Sequence, residues 1–261
     1  MRFIRLALAA LVLFFATPAL AGETVTYMDG NVTLEGYLAR AQGVTGSSAP
    51  VVLIIHQWKG LTDYERMRAD MLSRAGYNAI AIDMYGKGVR PSTDMDAGNE
   101  ATKYKNNPAL AHKRLQAALD YVNTLQGVNA NYVAVIGYCF GGGMALEMAR
   151  MGAPIKAAIS FDGNLASKAP VTNTQTIKAA IQVHHGAADP FVPLDEVRAF
   201  VQEMNAAQAD WTLTMYSGAV HAFTQKSAGN DPSKGAAYNE KADTRSWASA
   251  LDFLKTTLYS Q

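Results

Sequence analysis

The sequence predicts an α/β fold with a mainly parallel, doubly wound sheet. Three observations predict it. Short apolar runs alternate along the chain with longer segments at helical spacing. Two patterned runs joined by a turn precede the first of them. One strand-like run passes through a sharp, glycine-flanked turn straight into a helical run.

The elements follow in order. Residues 24–27 and 32–39 flank the turn Met28-Asp29-Gly30-Asn31 and read as an antiparallel hairpin. Residues 51–56 are apolar without alternation up to His56, as in a strand covered on both faces. Residues 64–75 are helical and stop at Gly76. Residues 78–83 form another strand, and 109–125 a long amphipathic helix with Leu115, Leu119 and Val122 on one face. A strand at 133–136 is followed by good helix formers at 144–150. Strands at 156–161 and 180–185, a helix at 194–206, a strand at 211–216 and a helix at 241–259 complete the set. Repeated strand–helix units imply parallel pairing. Ligands of such sheets lie beyond the carboxyl ends of the strands.

The first residues read as an export signal. Arg2 and Arg5 are basic, and residues 6–15 form an apolar run short for a bilayer span. Ala19-Leu20-Ala21 is a small-x-small cleavage site before Gly22. The expectation is a signal peptide over 1–21, a single domain over 22–261 and a periplasmic or extracellular location, with the periplasm favoured. No later stretch promises stable membrane insertion. The roughly 240 remaining residues suffice for a substantial core. Residues 43–50 are turn-rich but too short and too early to divide domains. The formal net charge is +1 with no basic block, so nucleic acid is not an expected partner. The single cysteine forms no internal disulfide and has no C-x-x-C partner, which argues against a thiol redox protein. The expected state is a monomer acting on a small molecule.

Gly137-Tyr138-Cys139-Phe140-Gly141 has the form G-x-C-x-G between a strand and a helix. That context suits a nucleophile elbow with cysteine in place of serine. A buried, inert cysteine is the competing reading. A nucleophile needs a base, and the base an orienting acid. Among five histidines, His221 stands in a loop after the last strand, the position that suits the base. His112 reads as a surface residue, His56 as a loop brace, and His184 and His185 as strand histidines with structural hydrogen bonds. Asp189 follows a strand in a loop fixed by glycine and proline and is the favoured acid. Asp162, after the preceding strand, competes with it. Asp195 suits the first turn of a helix.

Tyr138-Cys139-Phe140-Gly141-Gly142, the run from His185 through Asp189 to Pro193, and Ala219-Val220-His221-Ala222-Phe223 together resemble the dienelactone hydrolase family of α/β-hydrolases. The resemblance extends from about Tyr27 to the C-terminus and includes the segments at 56–63 and 83–87. It implies the α/β-hydrolase fold, a Cys139–Asp189–His221 triad, no metal and no organic cofactor. The implied reaction is thiolate attack on an ester or lactone carbonyl, giving an acyl-enzyme that water hydrolyses. The oxyanion would be held by the backbone N–H of Phe140, beside the elbow, and of Trp58.

Three positions depart from the family pattern. Gln57 stands where a glutamate helps ionise the thiol. Ala222 and Gln225 stand where a serine and an arginine bind the substrate carboxylate. A carboxylate site without its guanidinium lacks a bidentate clamp. Arg90 or Lys87 could supply positive charge instead. The expectation is a secreted ester or lactone hydrolase shifted towards neutral substrates. A thioesterase or transacylase with the same triad, and a degenerate hydrolase that binds a partner, remain the alternatives.

Overall fold

The computed structural model describes residues 22–44, 49–174 and 176–259. The expected signal segment lies outside the described residues. The eight strands of the described residues join one sheet: β1 (Glu23–Asp29), β2 (Val32–Ala39), β3 (Pro50–Ile55), β4 (Asn78–Ile82), β5 (Asn129–Tyr138), β6 (Ala157–Phe161), β7 (Ala180–Gly186) and β8 (Trp211–Tyr216). Their spatial order is β1-β2-β4-β3-β5-β6-β7-β8. β1 and β2 pair antiparallel, β2 meets β4 antiparallel, and the other pairs are parallel. The hairpin turn is tighter than expected. Pairing runs to Asp29↔Val32, leaving Gly30 and Asn31 as the turn, with Gly30 at φ 56°.

Among the described residues, six α-helices cover the sheet: α1 (Asp63–Arg74), α2 (Asp94–Lys105), α3 (Pro108–Thr124), α4 (Phe140–Arg150), α5 (Leu194–Ala206) and α6 (Glu240–Tyr259). Successive side chains of a strand point to opposite faces, so the central strands feed two cores. Val51, Leu53 and Ile55 of β3 and Val133 and Val135 of β5 pack with α2, α3, α4 and α5. Val52 and Ile54, with Ala134, Ile136 and Tyr138, pack with α1 and α6. This explains the unbroken apolar runs, since a fully buried Val or Ile contributes ~1.5–3 kcal/mol on either face. No helix among the described residues is long and apolar enough to cross a membrane.

Two expectations about histidines need correction. His112 is only 31% exposed, with Nε2 3.6 Å from Glu147 Oε2, because α3 packs on α4. His185 is buried, yet its Nδ1 has no hydrogen-bond partner among the described residues. His184 does carry the expected bonds, Nδ1 to Tyr216 Oη at 2.9 Å and Nε2 to Gln182 Oε1 at 3.0 Å. Burial pushes His184 down to about 3, so it stays neutral.

Candidate active site

β5 is a central strand, and its carboxyl end delivers Cys139. The elbow is possible because glycine flanks it. A Cβ on Gly137 would lie 2.0 Å from Gly141 O, and one on Gly141 2.2 Å from Ile55 O. Cys139 itself takes φ 54° and ψ −116°. Such backbone strain costs about 1–3 kcal/mol and collects at functional sites. The Cys139 N–H donates to Phe161 O at 3.0 Å, tying the turn to β6. α4 starts at the next residue, so its N-terminus favours negative charge at the sulfur.

His221 comes from the loop after β8. Its N–H donates to Gly235 O at 3.1 Å, and Ala237 N–H donates to His221 O at 3.0 Å. This backbone pairing with the 235–237 segment fixes the ring's root. Nδ1 donates to Asp189 Oδ2 at 2.8 Å, and Nε2 lies 3.1 Å from Cys139 Sγ. Asp189 Oδ1 accepts from Phe191 N–H at 2.8 Å and Val192 N–H at 3.3 Å. The loop after β7 thus aims the other oxygen at the imidazole. Burial opposes the imidazolium, but the neighbouring Cys139 sulfur and Asp189 outweigh it and hold His221 well above its ordinary value. Asp162 also reaches this ring, on its Nε2 side: Oδ2 lies 3.7 Å from Nε2. The structure therefore brings Cys139, His221 and Asp189 together in line and sets the competing Asp162 beside them.

The loop after β3 forms the facing wall. Met84 N–H donates to His56 Nε2 at 3.1 Å, so Nδ1 carries the proton that Gln57 O accepts at 2.5 Å. His56 is thus the loop brace its position suggested, and burial holds it neutral, down to about 4. Buried Glu65 accepts from Thr62 N–H and Oγ1–H at 2.8 and 2.7 Å and from Gln57 N–H at 3.4 Å. Tyr85 Oη–H donates to Trp58 O at 2.9 Å. These bonds fix the peptide that presents the Trp58 N–H. No hydrogen bond among the described residues uses the N–H of Trp58 or of Phe140.

Cys139 and His221 open onto a cavity of about 740 Å³ that Gln57, Trp58, Phe140 and Gln225 also line. Gln57 and Gln225 therefore stand where substrate can meet them. Arg90 does not, and that expectation is corrected. Its Nε donates to Leu61 O at 3.0 Å and its Nη1 to Val89 O at 2.7 Å, and Nη1 also lies 3.7 Å from Asp83. The guanidinium is a loop brace because backbone carbonyls surround it. Lys87 pairs with Glu35 at 3.3 Å and does not line the cavity either. The lining lysines are Lys59, held by Asp94 at 2.8 Å, and Lys105. Sequence reasoning missed the wall that α2 supplies. Among the described residues, no three histidine, cysteine or acidic side chains converge as metal ligands.

Comparison with known proteins agrees with this architecture. The model of the dienelactone hydrolase family matches residues 34–258. A solved structure named m3DLH superposes with a TM-score of 0.86 at 30% identity, covering 91% of this chain and 98% of its own. A dienelactone hydrolase-like promiscuous phosphotriesterase from metagenomic libraries gives a TM-score of 0.82 at 31% identity, covering 90% of this chain and 98% of its own. Carboxymethylenebutenolidase 1 of Cupriavidus pinatubonensis is 26% identical over 220 residues, which cover 80% of this chain and 87% of that protein. With a family match over most of its length, this chain belongs to the dienelactone hydrolase family and is a hydrolase of the α/β-hydrolase fold.

Proposed function

We propose that the chain hydrolyses neutral carboxylic esters or lactones with a Cys139–His221–Asp189 triad, through a thioester acyl-enzyme, in the periplasm after losing residues 1–21. One observation carries the mechanism. Asp189 Oδ2, both ring nitrogens of His221 and Cys139 Sγ form an unbroken line at 2.8 and 3.1 Å that ends at the cavity.

The chemistry follows from that line. The Cys139 thiol proton passes to His221 Nε2, and the sulfur attacks the carbonyl carbon. The developing oxyanion meets the N–H groups of Phe140 and Trp58. As the tetrahedral species collapses, the carbon–oxygen bond to the alcohol breaks and His221 protonates the departing oxygen. In a lactone that oxygen stays tethered to the acyl group. Water then gives a proton to Nε2, attacks the thioester and releases the acid, leaving sulfur with its electron pair. Asp189 keeps the Nδ1–H tautomer and stabilises the imidazolium throughout. Export is supported by basic Arg2 and Arg5, the apolar run at 6–15 and the Ala19-Leu20-Ala21 site.

The test is a turnover screen on aryl esters, lactones and thioesters beside Cys139→Ala, His221→Ala and Asp189→Asn. Each variant should lose at least ~10³-fold in kcat/KM while keeping its fold. Near-normal ester turnover by Cys139→Ala would refute the mechanism.

A further inference from the structure

His221 faces two carboxylates, and the triad uses one. The other, Asp162, sits in the turn after β6 and is fully buried. Its Oδ2 accepts from Ala222 N–H at 3.0 Å and lies 3.7 Å from His221 Nε2, the nitrogen that faces the sulfur. Its Oδ1 is buried with no hydrogen-bond partner among the described residues. A carboxylate left half unsatisfied in the interior is costly unless a charge compensates it. The nearest cationic group is the imidazolium of His221.

We propose that Asp162 is a positioning residue that keeps His221 protonated, and thereby keeps the Cys139 sulfur a thiolate before substrate arrives. The inference rests on the triad reading and deepens it. The step itself is a proton transfer. The S–H bond breaks, its electron pair stays on sulfur, and the proton forms the Nε2–H bond. A cation formed at Nε2 gains from every anion near it, and Asp162 adds one to those at Cys139 and Asp189.

The sheet order gives this role its meaning. β5, which carries Cys139, lies between β3 and β6. The resemblance places an ionisation-controlling glutamate on the β3 side, where this chain has the uncharged Gln57. Asp162 supplies a carboxylate from the β6 side instead. The carboxylate role has crossed the nucleophile's strand.

Among the groups packed nearby, the guanidinium of Arg68 on α1 reaches Thr224 O at 3.4 Å and is paired with Asp243 at 2.5 Å. Burial lowers His185, at the end of β7, and raises the phenol of Tyr138, on β5. Burial also pushes the Asp162 carboxyl up to about 6, against the pull of His221. Its charge is therefore present above that pH and lost below it.

The test uses the mature chain and Asp162→Asn, which keeps an oxygen for the Ala222 N–H and removes the charge. Two readouts report the pair directly: thiolate ultraviolet absorbance against pH, and the ring titration of His221 by NMR. The expected result is a His221 titration about one pH unit lower, with a smaller thiolate fraction at neutral pH. Unchanged titration and unchanged thiolate fraction overturn the role, even if turnover falls through the loop. Should the variant not fold, the natural chain decides. Thiolate absorbance that falls in step with protonation of the Asp162 carboxyl, followed by NMR, supports the role, and absorbance indifferent to that protonation overturns it. Cys139→Ala run in parallel separates the two failures. If it turns over esters, the triad itself falls. If it is inert while Asp162→Asn titrates like the natural chain, only the role of Asp162 falls.

Discussion

The ends of β5 and β6 lie side by side, and each passes to a residue with positive φ that is not glycine: Cys139 at 54° and Asp162 at 44°. Both lean on one histidine loop, where Ala222 at φ 57° is strained as well. They differ in the chain that succeeds them. After Cys139 it enters α4 at once, and the side chain is half-buried at the cavity. After Asp162 it runs through Gly163 into irregular structure, and the side chain is sealed in. The first end presents a thiol to the cavity. The second presents a buried carboxylate to His221. Strained residues cluster at functional sites, and here Cys139, Asp162 and Ala222 form such a cluster around His221.

The largest effect should come from forcing the two turns open. A Cβ at Gly137 would stand 2.0 Å from the carbonyl oxygen of Gly141, with no side chain to give way. A Cβ at Gly163 would first meet Ser160 Oγ at 2.4 Å and then Gly142 C at 2.6 Å. The hydroxyl can turn aside, so part of that clash is relieved. Overpacking of this kind costs about 1–3 kcal/mol and more where backbone collides. Gly137→Ala should abolish ester turnover or folded yield, and Gly163→Ala should retain a folded protein of reduced stability. Chemical denaturation and kcat/KM read both. A greater loss in Gly163→Ala would reverse the ranking of the two ends.

The contrast also explains what the sequence disclosed. The central strands were legible because burial on both faces leaves only apolar residues. Cys139, Asp189 and His221 were legible as candidates because each follows a strand in a loop with its own punctuation. Asp162 has only Gly163 beside it, and nothing in the sequence says which way its carboxylate turns. Arg90 misled for the same reason: a cation in a loop looks free until its carbonyl partners are seen. α2 went unread because it buries only Ala97, Ala101 and Tyr104 and carries Gly98 and Asn99. Such a segment lacks the apolar stripe that signals a helix. It nevertheless supplies a cavity wall.

A second prediction sharpens the contrast on the substrate side. The cavity is lined by Gln225 rather than a guanidinium, and Lys59 is paired with Asp94. Lost charge-assisted bonds cost about 1.5–3 kcal/mol each, or one to two orders of magnitude. An ester should therefore outperform its carboxylated analogue in kcat/KM, and Gln225→Arg should narrow the gap. A preference for the carboxylated ester that Lys105→Ala removes would show that α2 holds the clamp.

The smallest effect concerns a crowded glycine far from the site. Gly22 resembles Gly137 in one respect: a Cβ there would lie 2.4 Å from a backbone oxygen, that of Leu38. Its N–H donates to Tyr37 Oη at 2.7 Å, and Tyr37 Oη–H donates to buried Asp70 Oδ1 at 2.8 Å. Burial, reinforced by Asp70, pushes the Tyr37 phenol up to about 12, so it remains a donor to the carboxylate at working pH. Cleavage after Ala21 would turn the Gly22 nitrogen into an ammonium at the head of this relay, one phenol away from a carboxylate. Intact mass of protein from the periplasm should then begin at Gly22, and recovery of the whole chain in the membrane fraction would sink the processing claim. The charge should contribute on the order of 1 kcal/mol. Asp70→Asn should lower the Tm of the mature form by more than that of a form acetylated at Gly22. Equal losses in both would show that the relay works as a neutral hydrogen bond, with no gain from the new terminus.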